Sequence, residues 1–126
     1  MVVIDPTEER QPAFERALQS AHMTGALLHL YLCVDEESGC LDADDVQKSY
    51  GSLLEAYEKR ALEQGVDSRI EIEWASNWRD QVAIAAARCS ASMVFKGSID
   101  HRDVQRELRK TADWTLLRLS PCPVLL

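Results

Sequence analysis

The sequence predicts an open, doubly wound α/β domain, with five parallel strands in one sheet and helices on both faces. Three observations carry this. Short apolar runs alternate with amphipathic stretches in the order β-α-β-α-β-α-β-α-β. The second run, ALLHLYLCV from Ala26 to Val34, is apolar at almost every position, as a strand covered on both faces is. Every connection between runs holds a helical pattern, which parallel neighbours require for their crossovers.

The elements follow in order. MVVI reads as a buried strand stopped at Asp5-Pro6. Pro12 suits the first turn of a helix whose Phe14, Ala17, Leu18 and Ala21 recur at helical spacing, with Gly25 as its stop. After Ala26–Val34 comes an acidic loop, DEESGCLDADD, in which Asp42 or Asp44 caps the next helix. That helix puts Val46, Tyr50, Leu53, Leu54, Tyr57, Ala61 and Leu62 on one face and ends at Gly65. Its outer face carries Lys48, Glu55, Glu58, Lys59 and Arg60. SRIEIEWAS alternates Ile70, Ile72 and Trp74 with Arg69, Glu71 and Glu73, so it reads as a strand near a sheet edge with one exposed face. Ser76 or Asn77 caps an alanine-rich helix from about Trp78 to Cys89. SMVF is the fourth strand, RDVQRELRKTADWTLLRLS the last helical region, and CPVLL the fifth strand.

Composition narrows the function. With 126 residues the chain suits one domain, residues 1–126. Hydrophobic residues make up 46% and charged residues 28%, the balance of a folded globular protein. A net charge of −7 argues against nucleic acid as a partner, since that needs a basic surface. No apolar run approaches the ~18 residues of a membrane span, and MVVI is too short for a signal peptide. Cys33, Cys40, Cys89 and Cys122 form no CxxC pair or metal-finger spacing. Cys33, Cys89 and Cys122 sit among apolar residues and read as buried free thiols, so the reducing cytoplasm is the expected compartment. The chain opens inside one apolar run and closes inside another, PVLL, as a piece of a longer protein is expected to do.

Candidate chemistry is sparse. No G-x-S-x-G elbow is present. His29 lies in a buried-looking strand and His22 in the last turn of a helix, where it complements the dipole. Only His101, beside Arg102 and Asp103, is placed for a functional role, and solvent exposure accounts for it as well. Asp42, Asp44 and Asp45 lack the alternation of a calcium loop. The three tryptophans, Trp74, Trp78 and Trp114, are expected to pack on the core or the sheet. The argument from topology is stronger. Open parallel sheets bind ligands at strand carboxyl ends, where the strand order reverses. If strands one, two and four are neighbours, Asp5, Cys33 or Val34, and Gly97 face one crevice. Asp5 there either accepts hydrogen bonds from a sugar or base, or caps the turn that follows.

Several stretches together carry a family resemblance. VVIDPTEERQPAFERALQSAHMTGALLHLYLCV, DQVAIAAARCSASMVFKG and TADWTLLRLSPCPVLL resemble the opening, the third helix with fourth strand, and the closing segment of the universal stress protein family. Asp5-Pro6, Gln11-Pro12 and the run from Asp113 to Arg118 are most similar to the family's tandem-domain branch. The resemblance implies a Rossmann-like fold of the adenine nucleotide alpha hydrolase-like kind. It also implies a cytoplasmic, non-catalytic role in stress resistance, and pairing through the last strand, Pro123–Leu126, as a homodimer or with a second such domain.

Some members hold ATP in a loop of the form G-x-x-G, nine residues, then G-S or G-T. Here Gly97 matches the first glycine, Asp100 stands at the second, and Lys110-Thr111 stand at the closing pair. Asp100 puts a carboxylate where phosphates would lie. Lys110 adds a Cβ where the backbone should approach closely. The resemblance therefore implies a degenerate ATP loop and no resident cofactor, ATP or AMP being the ligands the crevice would otherwise take. Asp5 matches the family's sugar- or base-side aspartate, and Cys33 falls near a position usually filled by valine. The candidate ligand residues are thus Asp5, Cys33, Gly97, Ser98, Lys110 and Thr111. Lys96, Arg102 and Arg109 are further cations able to meet a phosphate. The rival reading is a sensor that holds a nucleotide or another small molecule in the same crevice.

Overall fold

A computed structural model describes residues 1–6, 8–35, 43–76, 78–97, 113 and 115–126. The strands are β1 (Val2–Val3), β2 (Leu28–Asp35), β3 (Ser68–Ala75), β4 (Val94–Lys96) and β5 (Val124–Leu125). The helices are α1 (Pro12–Thr24), α2 (Ala43–Glu63) and α3 (Trp78–Arg88). A further helical run covers 115–119.

The strands form one parallel sheet in the order β3-β2-β1-β4-β5. The period-two pattern in β3 placed that strand near an edge, and it is the edge. The order reverses at β1, which pairs with β2 on one side (Val3↔Tyr31) and with β4 on the other (Val3↔Lys96).

Alternation along the strands sorts the core into two layers. Val2, Ile4, Leu28, Leu30, Leu32 and Phe95 pack with Phe14, Leu18, Leu54 and Ala61 of α1 and α2. Met1, Tyr31 and Val94 pack with Val82, Ala85 and Ala86 of α3 and with Leu116. Both faces are thus covered, which explains the unbroken apolarity of β2. Each fully buried large side chain stabilises the fold by about 1.5–3 kcal/mol relative to exposure.

α1 starts at Pro12, whose missing N–H costs nothing in the first turn, and ends at Gly25 with φ 70°. α2 gives way to Gly65 with φ 73°. Both glycines occupy the left-handed region that a side chain would strain.

Some expectations need correction. Leu62 is exposed, not part of the α2 core face, because Ala61 beside it takes the inward position and the next residue is turned about 100° round the helix. Trp74 is also exposed, at the far end of the edge strand. Glu71 and Glu73 do not form a solvated face. Their side chains are only 24% and 19% exposed, because α3 crosses that face of β3 and brings Arg88 to them. Cys33, Cys89 and Cys122 are half-buried rather than buried, packed at the margin of the second core layer. Asp44 lies within the first turn of α2 rather than capping it. The loop cysteine Cys40, Asp42, Asn77, Trp114 and His101 lie outside the described residues.

Candidate functional site

The strand order reverses at β1, the place where sheets of this kind form a ligand crevice. β1 sits between β2 and β4, so the carboxyl ends of these three strands are adjacent. Met1 and Val3 face the α3 layer, and the alternation continues to Asp5. On β2 the same face carries Tyr31 and Cys33. Continuing the Val3↔Tyr31 register sets Asp5 beside Cys33. On β4 that face carries Val94 and then Lys96. Asp5, Cys33 and Lys96 therefore share one end and one face of the sheet, with Gly97 next in the chain.

The β1–α1 turn that carries Asp5 is held by Gln11, a buried polar side chain. Its Nε2 donates to the carbonyls of Asp5 at 2.5 Å and Glu8 at 3.0 Å. Its Oε1 accepts from the Asp5 N–H at 3.3 Å. The Glu8 N–H also donates to the Asp5 carbonyl, at 3.2 Å. One side chain thus fixes the backbone of the turn from both polarities. Sequence reading used Gln11 only as part of a resemblance. A polar residue just before a helix-starting proline was the available signal.

Lys96 ends β4 as a cation whose side chain is only 12% exposed. Its Nζ donates to Asp113 Oδ1 at 2.6 Å, and Asp113 is 18% exposed. A second, longer contact runs to the Gly97 carbonyl at 3.3 Å. Gly97 itself is exposed, and a Cβ built on it meets no atom within 4 Å. No described neighbour requires glycine there. Ser98, Lys110 and Thr111, with Asp100, Arg102 and Arg109, lie outside the described residues.

The remaining polar cluster lies on the same face of the sheet under α3. Glu73 accepts from Tyr31 at 2.6 Å and from Gln81 at 3.0 Å, and it pairs with Arg88 at 2.7 Å. Glu71 pairs with Arg88 and, at 2.6 Å, with His29 Nε2. Burial alone would push the Glu73 carboxyl up, but hydrogen bonds from Tyr31, Arg88 and Gln81 outweigh it and hold the carboxyl below the usual range. Burial first, and the bond to Glu73 second, push the Tyr31 phenol up. His29 is thereby structural, and His22 Nδ1 sits 3.1 Å from the Gln64 carbonyl, where it bridges α1 to the end of α2. Among the described residues no group of three metal-ligating side chains occurs.

The whole chain, residues 1–126, matches the model of the universal stress protein family. The chain belongs to that family. Among curated proteins it is 27% identical to "Universal stress protein E" of Photorhabdus laumondii, over 98% of this chain and 43% of that protein. The chain spans less than half the length of the curated relatives it matches. Among solved structures it is similar to a universal stress protein from Archaeoglobus fulgidus, with TM-score 0.76 and 15% identity, covering 98% of this chain and 93% of that one. A universal stress protein in complex with cAMP gives TM-score 0.75 and 20% identity, with 98% and 93% covered. As a universal stress protein domain, the chain has the five-stranded α/β fold expected of it. No described helix is long and apolar enough to cross a membrane.

Proposed function

We propose that this universal stress protein domain is a non-catalytic, cytoplasmic stress-response module, one of two such domains in a tandem protein, whose crevice does not hold ATP through a glycine loop. The observation that carries this reading is the Lys96–Asp113 pair. The cation at the end of β4 already has a carboxylate partner at 2.6 Å, where neither side chain is well solvated. A triphosphate would have to break that pair and bring more negative charge beside Asp113. Asp100 and Lys110 in the glycine positions argue the same way. The relatives' greater length supports the tandem arrangement.

A second reading has its own support. Register sets Asp5 beside Cys33 at the strand ends, the end at which such sheets take a sugar and base, and one structural neighbour is in complex with cAMP. The two readings separate by experiment. Under the first, ATP at millimolar concentration barely moves the melting temperature, since stabilisation grows only with the ratio of ligand to its Kd. Co-purified nucleotide, found by mass spectrometry after denaturation, would replace the first reading by the second. Turnover of ATP that disappears in Asp5→Ala would overturn the non-catalytic assignment.

A further inference from the structure

We propose that Cys89 and Cys122 form a peroxide-oxidised dithiol, whose disulfide joins the end of α3 to the segment entering β5 and fixes that strand to the sheet. These thiols precede β4 and β5, so they lie at the amino ends of the strands, opposite the crevice.

Separate observations bring the two sulfurs together. Both side chains pack against the α3-side core layer, as Ala91 and Val124 do. β5 pairs with β4 in the register Val94↔Val124, and the Val94 N–H donates to the Pro123 carbonyl at 2.9 Å. Cys122, one residue before Pro123, therefore lies beside the stretch that enters β4, at a strand spacing of about 4.8 Å. That stretch starts from Cys89, where α3 ends in a tight turn. The Cys89 N–H donates to the Ala85 carbonyl at 3.0 Å, Ser90 takes φ 53°, and the Ala91 N–H reaches back to the Ala86 carbonyl at 3.0 Å. The Met1 amino group marks the same place, since it donates to the Met93 carbonyl at 2.8 Å. Burial pushes that ammonium below its usual range, and electrostatic attraction to Cys89 and Cys122 opposes the push. A single nitrogen thus interacts with both sulfurs. Cys33 lies two residues beyond the Val3↔Tyr31 pair, towards the carboxyl end of β2 and the other end of the sheet.

Both thiols are half-buried rather than sealed in the core, so a small oxidant reaches them. One thiolate attacks hydrogen peroxide. An S–O bond forms, the O–O bond breaks and hydroxide leaves, giving a sulfenic acid. The other thiol attacks that sulfur. The S–S bond forms, the S–O bond breaks and water leaves, while the thiol proton neutralises the hydroxide. Two thiols are oxidised and one peroxide is reduced to two waters. In a reducing compartment such a bond is transient and redox-sensing. Its structural effect falls on β5, a strand of two residues, Val124 and Leu125, at the sheet edge. Cys122 stands two residues before it, already held by the Ser120 hydroxyl, which donates to the Cys122 carbonyl at 2.8 Å. A bond to Cys89 anchors that segment to α3 as well.

The test treats the intact, fully reduced protein with hydrogen peroxide, blocks the remaining thiols and maps linked peptides by mass spectrometry without reductant. Cys89 and Cys122 should be recovered as one linked pair in the monomer, and a dithiol reductant should release them. Cys33→Ser/Cys40→Ser should give the same pair. Cys89→Ser should instead leave Cys122 as a sulfenic acid that a 1,3-diketone probe traps. Amide exchange over 124–125 should slow by about threefold or more in the oxidised wild type. The wild-type map and exchange decide the matter even if a variant does not fold. A pair that includes Cys33 or Cys40, a disulfide-linked dimer, or oxidation that ends with both sulfurs unlinked overturns the dithiol. Unchanged exchange in the linked protein overturns the fixing of β5.

Discussion

Tyr31, wholly buried on β2, donates a hydrogen bond from its hydroxyl to Glu73 on the neighbouring edge strand at 2.6 Å. A phenol beneath a helix needs such a partner, because an unpaired buried hydroxyl is costly. Tyr31→Phe removes the donor and leaves Glu73 with Arg88 and Gln81. The expected loss is about 1.5–3 kcal/mol, the range for a hydrogen bond to a charged group, read from the urea midpoint.

The same carboxylate gives the fold an acid limit. Glu73 is held below the ordinary carboxyl range, so the folded state binds its proton less readily than the unfolded chain does. Its contribution is present above the unfolded value of about 4.3 and is lost as the pH falls through the lower folded value. Urea midpoints measured between about pH 6 and pH 3 should fall, with a shallower slope in Glu73→Gln. An equal slope in that variant would assign the acid sensitivity elsewhere.

Much of the fold was legible because local pattern and global position agree. ALLHLYLCV is apolar throughout because β2 has helices over both faces. Ile70 and Ile72 alternate with glutamates because the isoleucines face the α1–α2 core layer while Glu71 and Glu73 meet polar groups of α3 on the other face. The pattern failed at Glu71 and Glu73, since alternation records polarity and not exposure. Nothing local reveals that Arg88, in a different element, would cover them. The site was legible in part. Asp5, Cys33 and Gly97 lie at the same end of adjacent strands because strand order reverses at β1, which a general rule for such sheets supplies. The pairing of Lys96 with Asp113 joins residues 17 apart, and no motif signals it.

Gln11 offers a separate test of the crevice. Gln11→Ala frees the Asp5 and Glu8 carbonyls and the Asp5 N–H together. The loss should be about 1–3 kcal/mol, the cost of leaving a buried polar group without its partner. Amide exchange should rise in the turn after β1 while the sheet stays protected. Uniformly faster exchange would mean that Gln11 supports the whole domain and not the turn.

One position should gain from change. Ser90, just past α3, has φ 53°, a left-handed conformation in which glycine carries no Cβ penalty. The Ala91 N–H reaches back to the Ala86 carbonyl there, at 3.0 Å, as at a helix terminus. Ser90→Gly should raise stability by about 0.5–1 kcal/mol, seen as a higher melting temperature. A lower one would show that the serine hydroxyl contributes more than its backbone costs.

The strand order also sets a schedule for folding. β1 is the middle of the sheet yet comes from the first residues of the chain, and the amino group of Met1 donates to the carbonyl of Met93 at 2.8 Å. The β1–β2–β3 half assembles from nearby segments, whereas the other flank of β1 waits for a stretch some ninety residues later in synthesis. Until β4 arrives, the central strand has an open edge, and the crevice beside it has one wall. The junction of β1 with β4, where the candidate site lies, is therefore among the last features of this domain to come into existence.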